Sequence, residues 1–104
     1  MEIEYNPLNN LAQMLLKLNI PFEDPSRENM GQILYPNDAD RRCSIIFGPG
    51  SYGYEDGLLE IQGLLTDEEA TANDVLGYLT VGDVLARIMR DWEVNKDVYE
   101  SESH

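Results

Sequence analysis

The chain is poor in the residues from which most catalytic and metal sites are built. It has one histidine, His104 at the end of the sequence, and one cysteine, Cys43. With so little to draw on, Ser/His/Asp and Cys/His arrangements, a histidine-based zinc site and an internal disulfide are all excluded. Basic residues are scarce as well: seven Lys and Arg face twenty Asp and Glu, a formal net charge of −13. Nucleic acid and anionic membrane carry that same sign, so direct binding to either is not expected. No apolar run approaches the roughly 20 residues that a bilayer-spanning helix needs. Met1 is followed by Glu2 and Glu4, the wrong charge for the start of a secretory signal. A domain without disulfide staples or such a signal is expected in the cytosol.

What is present suits one domain over 1–104, with a polar tail from about residue 96. At 104 residues, folding buries roughly 60–70% of the surface that the unfolded chain exposes, enough for one core and no second domain. Hydrophobic residues make up 42% of the chain, which argues against disorder. The acidity serves solubility, or it steers the chain towards a protein with a basic face. A special case of the second is a DNA mimic, with carboxylates copying the duplex spacing of about one charge per 1.7 Å.

Asn6-Pro7 opens the first element, with Asn as N-cap and Pro at the first helical position. Leu8, Leu11, Leu15 and Leu18 then share one helical face, Asn19 can take the left-handed conformation that ends a helix, and Pro21 forbids continuation. This predicts a helix over 7–18. Ile20 to Asp24 reads as a short extended segment and 25–29 as a turn. Strands follow at Gln32–Tyr35, Arg42–Phe47 and Gly57–Leu65. In the last, Leu59, Ile61 and Leu65 face one side and Leu58, Glu60, Gln62 and Leu64 the other. TDEEATAND (66–74) is an acidic linker with room for a helical turn. Thr80 and Asp83 form a capping box, with Asp for the usual Glu, and Val81, Val84, Leu85, Ile88, Met89 and Trp92 give an amphipathic stripe. A helix over 81–94 follows, and the tail DVYESESH is expected to fray. Successive strands without intervening helices favour an antiparallel meander. The expected fold is therefore α+β in two layers, a three- to four-stranded antiparallel meander with the N-terminal and C-terminal helices packed on one face.

The stretch GPGSYGYEDGLLEIQG (48–63) puts five glycines, two tyrosines and three acids into sixteen positions. A long hairpin loop needs residues that tolerate positive φ, and glycine supplies them. A phosphate loop would need GK[ST] and a following helix, whereas here a strand follows. Tyr52 and Tyr54 either cover the edge of the core or form a protein-contact patch. Glu55, Asp56 and Glu60 could form a carboxylate cluster for a divalent metal, although a solvated outer strand face accounts for them as well. The helix–strand–strand–strand–helix order is similar to the start of the PD-(D/E)xK nuclease core, but Glu60-Ile61-Gln62 lacks the lysine of that motif. Arg41 and Arg42, the one adjacent basic pair, are expected to pair with nearby acids such as Glu60 across the sheet. Cys43 is expected to face inward and stay inert.

RRCSIIFGPGSYGYEDGLLEIQGLLT followed by DVLGYLTVGDVLARI resembles small phage and prophage proteins of bacteria. In these, an S-Y-G-x-x-x-G-L-L-E-like stretch precedes a G-[WY]-L-T-x-x-D-V helix start; the likeness covers roughly residues 30–92. The resemblance implies structural roles for Gly48 to Gly57 as the loop, Gly77 before an extended Tyr78-Leu79, and Thr80 with Asp83 as the cap. It brings no catalytic, metal or cofactor residues. It implies a non-enzymatic accessory protein that binds a host or phage protein, as an inhibitor of a host or defence factor. The candidate contact residues are Tyr52, Tyr54, Glu55, Asp56 and Glu60 around the hairpin, with Asp67, Glu68, Glu69 and Asp74 in the acidic linker. An alternative is a structural protein that self-associates through a sheet face bearing Leu58, Leu64 and Ile46. A metal-dependent nuclease-like enzyme is a second alternative.

Overall fold

The computed structural model describes residues 6–25, 30–72 and 74–102, with side chains as far as Val98. Helix α1 spans Pro7–Lys17, and Asn6 caps it, its Oδ1 accepting from the N–H groups of Leu8 (3.0 Å) and Asn9 (3.4 Å). Leu8, Leu11 and Leu15 are buried. Asn19 ends the helix at φ 57°, and the Ile20 N–H donates back to the Leu15 carbonyl at 3.0 Å, which satisfies a helix-end acceptor. That reversal puts Ile20 into the core where the leucine spacing predicts Leu18, which is exposed. Extended chain then pairs Glu23 with Leu34 as an isolated antiparallel bridge. Of the turn expected over 25–29, residues 26–29 lie outside the described residues.

Four strands follow: β1 Gly31–Tyr35, β2 Cys43–Phe47, β3 Leu59–Gly63 and β4 Val75–Leu79. They form one antiparallel sheet in the order β1-β2-β3-β4. The register aligns Ile33, Ile45 and Ile61 across three strands, all fully buried. Alternation sends Gln32, Ser44, Glu60 and Gln62 to the opposite face. The helices pack on the isoleucine face, as the sequence predicts: α1 lies over β1 and β2, and the C-terminal helix α3 (Val81–Glu102) lies over β3 and β4.

Alternation in the third strand stops at Gly63, whose φ is +99°. A Cβ there would lie 2.3 Å from the Arg42 carbonyl oxygen, so only glycine fits. Leu64 follows at φ 54° and turns back to pack against the core beside Leu65. The outer-face position predicted for Leu64 is therefore corrected. An apolar outer patch loses one of its three members; Ile46 and Leu58 remain, both half-buried.

The acidic linker holds helix α2 (Asp67–Ala72), opened by a reciprocal capping box. The Thr66 N–H donates to Glu69 Oε1 (2.8 Å) and the Glu69 N–H to Thr66 Oγ1 (3.2 Å). Thr80 and Asp83 form the expected box at the start of α3, with both bonds 3.1 Å long. Val84 and Ile88 are fully buried, and Leu85 and Trp92 are partly so. Met89, placed in the buried stripe by spacing, is exposed. Nor does α3 stop at 94: it continues to Glu102, because VNKDVYESE has no glycine or proline to break it. The fraying expected from residue 96 is replaced by helix as far as Glu102.

Asp91 on α3 is buried and is the hub of a polar network. The hydroxyl of the fully buried Tyr35 donates to Asp91 Oδ2 at 2.8 Å. Arg42 donates from Nε (3.2 Å) and Nη2 (2.9 Å) to Oδ1, and Asn95 Nδ2 donates to the same oxygen at 3.1 Å. The expected pairing of the arginines with Glu60 is thus replaced: Arg42 binds Asp91, and Arg41 binds Asp38 at 2.6 Å. The Arg42 side chain is about half exposed, so its ion pair by itself contributes only about 0–1 kcal/mol. The tyrosine bond matters more, since a buried hydroxyl without a partner is costly. Asp91→Ala is expected to lower unfolding free energy by about 2–3 kcal/mol and Tyr35→Phe by about 1 kcal/mol, both measured by urea denaturation.

Candidate functional site

The loop between β2 and β3 is built from its own hydrogen bonds. Ser51 is buried at its base, its Oγ accepting from the Gly48 N–H (3.1 Å) and donating to the Gly48 carbonyl (2.8 Å). Gly53 (φ +100°) and Gly57 (φ +71°) flank a single turn of 3₁₀ helix, Tyr54–Asp56. These left-handed positions meet the expectation that the glycines serve a turn.

The loop then folds back onto β4. The Tyr52 N–H donates to Glu60 Oε1 at 2.8 Å, and the Tyr52 carbonyl accepts from the Tyr78 N–H at 3.3 Å. Contact is close enough that a Cβ on Gly77 would sit 2.2 Å from Tyr52 Cβ. The register explains the approach. Leu59 pairs with Leu79 and Ile61 with Leu76, so Glu60 faces two residues, Gly77 and Tyr78, across a β-bulge. Tyr78 takes φ 61° within that bulge, which corrects the extended conformation expected for it. Positive φ is a genuine outlier for a bulky aromatic residue.

Three tyrosines consequently gather at one end of the sheet. Tyr52 is 54% exposed, Tyr54 37% and Tyr78 60%. With Glu55 and Asp56 they rim a shallow concavity of about 170 Å³. Tyr54 is anchored, its ring 4.9 Å from that of Phe47 at a tilt of 52°; Tyr52 and Tyr78 present more of their area. Tyr54 therefore covers a core edge and stays partly open, while Tyr52 is mostly open. Sequence reasoning missed Tyr78 as a site residue. Its only signal was the preceding Gly77, which marks a close backbone approach.

The remaining candidates divide. Glu60 stands behind the tip and holds Tyr52 in place. Asp67 and Glu68 are exposed on α2, and Asp74 is exposed just before β4. Because α2 follows the far end of β3, these acids lie at the opposite end of the sheet from the tyrosines. Glu69 is tied down: Arg87 donates to both its oxygens at 2.8 Å and to the Leu64 carbonyl at 2.9 Å. Among the described residues no three of His, Cys, Asp and Glu converge on one point.

Among the described residues, the ion pair between Glu69 and Arg87 raises the affinity of the arginine for its proton, and Glu69 and Cys43 are displaced from their ordinary values. The Arg87 bonds, with the Thr66 N–H, hold the Glu69 carboxyl down at about 2. Burial, with Asp91 next in effect, pushes the Cys43 thiol up to about 12, so the inward-facing thiol expected from the sequence is also a poor nucleophile. No helix among the described residues is long and apolar enough to cross a membrane.

Gly77→Ala is expected to push Tyr52 off the bulge and cost about 1–3 kcal/mol, read by denaturation and by shifts of the loop amide signals. A second outcome concerns acid. The depressed folded value of Glu69 means its stabilisation is present above 4.5 and is lost as pH falls from 4.5 towards 2. Glu69→Gln is expected to flatten that part of the stability–pH curve while lowering stability at neutral pH.

Compared with protein-family models, with curated proteins and with solved structures, the chain matches none.

Proposed function

We propose that the chain is a non-enzymatic binding module whose hairpin tip docks a basic face of another protein. The observation that carries this is the group of three partly exposed tyrosines, Tyr52, Tyr54 and Tyr78, rimmed by Glu55 and Asp56 and held by a backbone bulge. Tyrosine offers rigid apolar area with a hydroxyl handle, and is enriched among residues that dominate interface energetics. Its ring also attracts Lys and Arg cations, and the two carboxylates reinforce that preference. The net charge of −13 would steer such a partner in from a distance. The resemblance to phage and prophage proteins suggests a host protein as partner, with inhibition of a host or defence factor as the outcome.

The test is a comparative pull-down from bacterial lysate at moderate salt, with partners identified by mass spectrometry. A stoichiometric partner held by the native chain, and bound about tenfold or more weakly by a Tyr52→Ala/Tyr78→Ala variant, supports the tip as the docking site. The same partner retained equally by both removes the tip from consideration. Neutralising Asp67 and Glu68, at the far end of the sheet, is expected to slow association and weaken its salt dependence while leaving dissociation unchanged.

A further inference from the structure

The two edges of the sheet differ. Beside β1 the chain closes its own edge, Glu23 exchanging both backbone hydrogen bonds with Leu34 at 2.9 and 2.8 Å. On the other side β4 is the last strand, paired with β3 alone. An antiparallel ladder uses the backbone groups of alternate residues, so the remainder point outward from an edge strand. Among the described residues, β4 makes one backbone bond outside its strand pairing, from the Tyr78 N–H to the Tyr52 carbonyl at the tip. Residues 75–77 keep an open edge, without the charge or proline that commonly blocks one.

Helix α3 lies along this margin. Asp83, Arg87, Arg90 and Val94 recur at spacings that put them on one stripe of the helix. With Leu65 and Leu76 they line a groove of about 740 Å³, inside the range of about 300–1,000 Å³ usual for ligand sites. The acids lining it are engaged within the fold. Glu69 binds Arg87, Asp83 accepts from the Thr80 N–H, and Asp91 holds Tyr35 and Arg42. Arg90 has no hydrogen-bond or ion-pair partner among the described residues.

We infer that the β4 edge and this groove take an extended segment of another protein as a fifth, antiparallel strand, with an acidic side chain of that segment on Arg90. Strand addition draws affinity from main-chain hydrogen bonds and specificity from alternate side chains. Every second residue of the guest lies on the isoleucine face, beside α3. There Leu65, Leu76 and the 77% exposed Val94 suit apolar side chains. The position of Arg90 sets where the acid falls. Arg87 reaches the Leu64 carbonyl, just past the end of β3 that pairs with Val75, and Arg90 stands about one turn further along α3. The acid therefore belongs at the Val75 end of the edge. A guest antiparallel to β4 reaches that end last, which gives the pattern apolar-x-apolar-x-acid. A second copy suits the edge less well, because β4 holds no acid for Arg90 and each copy carries −13. This site does not rest on the docking role of the tip, and either can fail alone.

The probe is the end-capped peptide Ser-Val-Thr-Leu-Thr-Glu-Ser, titrated to roughly 1 mM into the isotope-labelled full chain. Saturable shifts of the amide signals of residues 75–77 and of Arg90 are expected. Arg90→Glu, with its fold confirmed by circular dichroism, is expected to bind this peptide tenfold or more weakly. The same peptide with lysine for glutamate is expected to restore binding to that variant. Two N-methylated peptides, each blocking one alternate set of amides, separate strand pairing from plain apolar contact. Only one set faces β4, so only one of the two is expected to lose binding. No saturable shift, equal binding by the two methylated forms, or indifference to the charge swap would each overturn the inference. So would dimerisation of the native chain through β4 that the peptide fails to displace, which assigns the edge to a second copy.

Discussion

The carboxylate of Asp91 is the constraint on which the arrangement of layers depends. The hydrophobic effect has no direction, so leucines and isoleucines alone would let α3 slide or rotate on the sheet. The bond from Tyr35 and the two from Arg42 tie one point of α3 to the end of β1 and the start of β2. A second tie, from Arg87 to Glu69 and the Leu64 carbonyl, fixes α3 against the connection that follows β3. With both in place the helix can rotate little. Val84 and Ile88 face the core, and Val94 and Val98 face outward.

At the other end of the sheet a different device operates. One extra residue in β4 opens a bulge opposite Glu60, and the long β2–β3 loop closes over it. Glu60 holds the Tyr52 N–H, Gly77 lets the Tyr52 backbone approach, and Tyr78 accepts an unfavourable backbone conformation. The cost of placing an aromatic residue at positive φ, about 1–3 kcal/mol, is offset by these surrounding contacts. Its result is a partly exposed aromatic cluster on a rigid base. Such rigidity lowers the entropy lost when a surface binds.

At the tip, aromatic rings sit beside Glu55 and Asp56, whereas the net charge of −13 is spread over the whole molecule.

Much of the fold was legible in the sequence because its signals are local. Asn6 and Asn19 bound α1, Thr80 and Asp83 start α3, and period-two alternation sets the buried faces of β2 and β3; each depends on residues a few positions apart. Four of the five residues of the candidate site were legible for the same reason, since Tyr52, Tyr54, Glu55 and Asp56 lie within one loop. What the sequence could not convey were relations between distant segments. Arg42 meets Asp91 rather than Glu60, Glu69 is bound by Arg87, and Tyr78 joins the tip because β4 carries an extra residue opposite Glu60. Leu18 and Met89 satisfy the helical period, yet are exposed because the neighbouring layer does not reach them. Local chemistry sets which elements form and which side of each is apolar. Only tertiary packing selects which charged groups meet, because a carboxylate binds whichever cation the fold brings within reach.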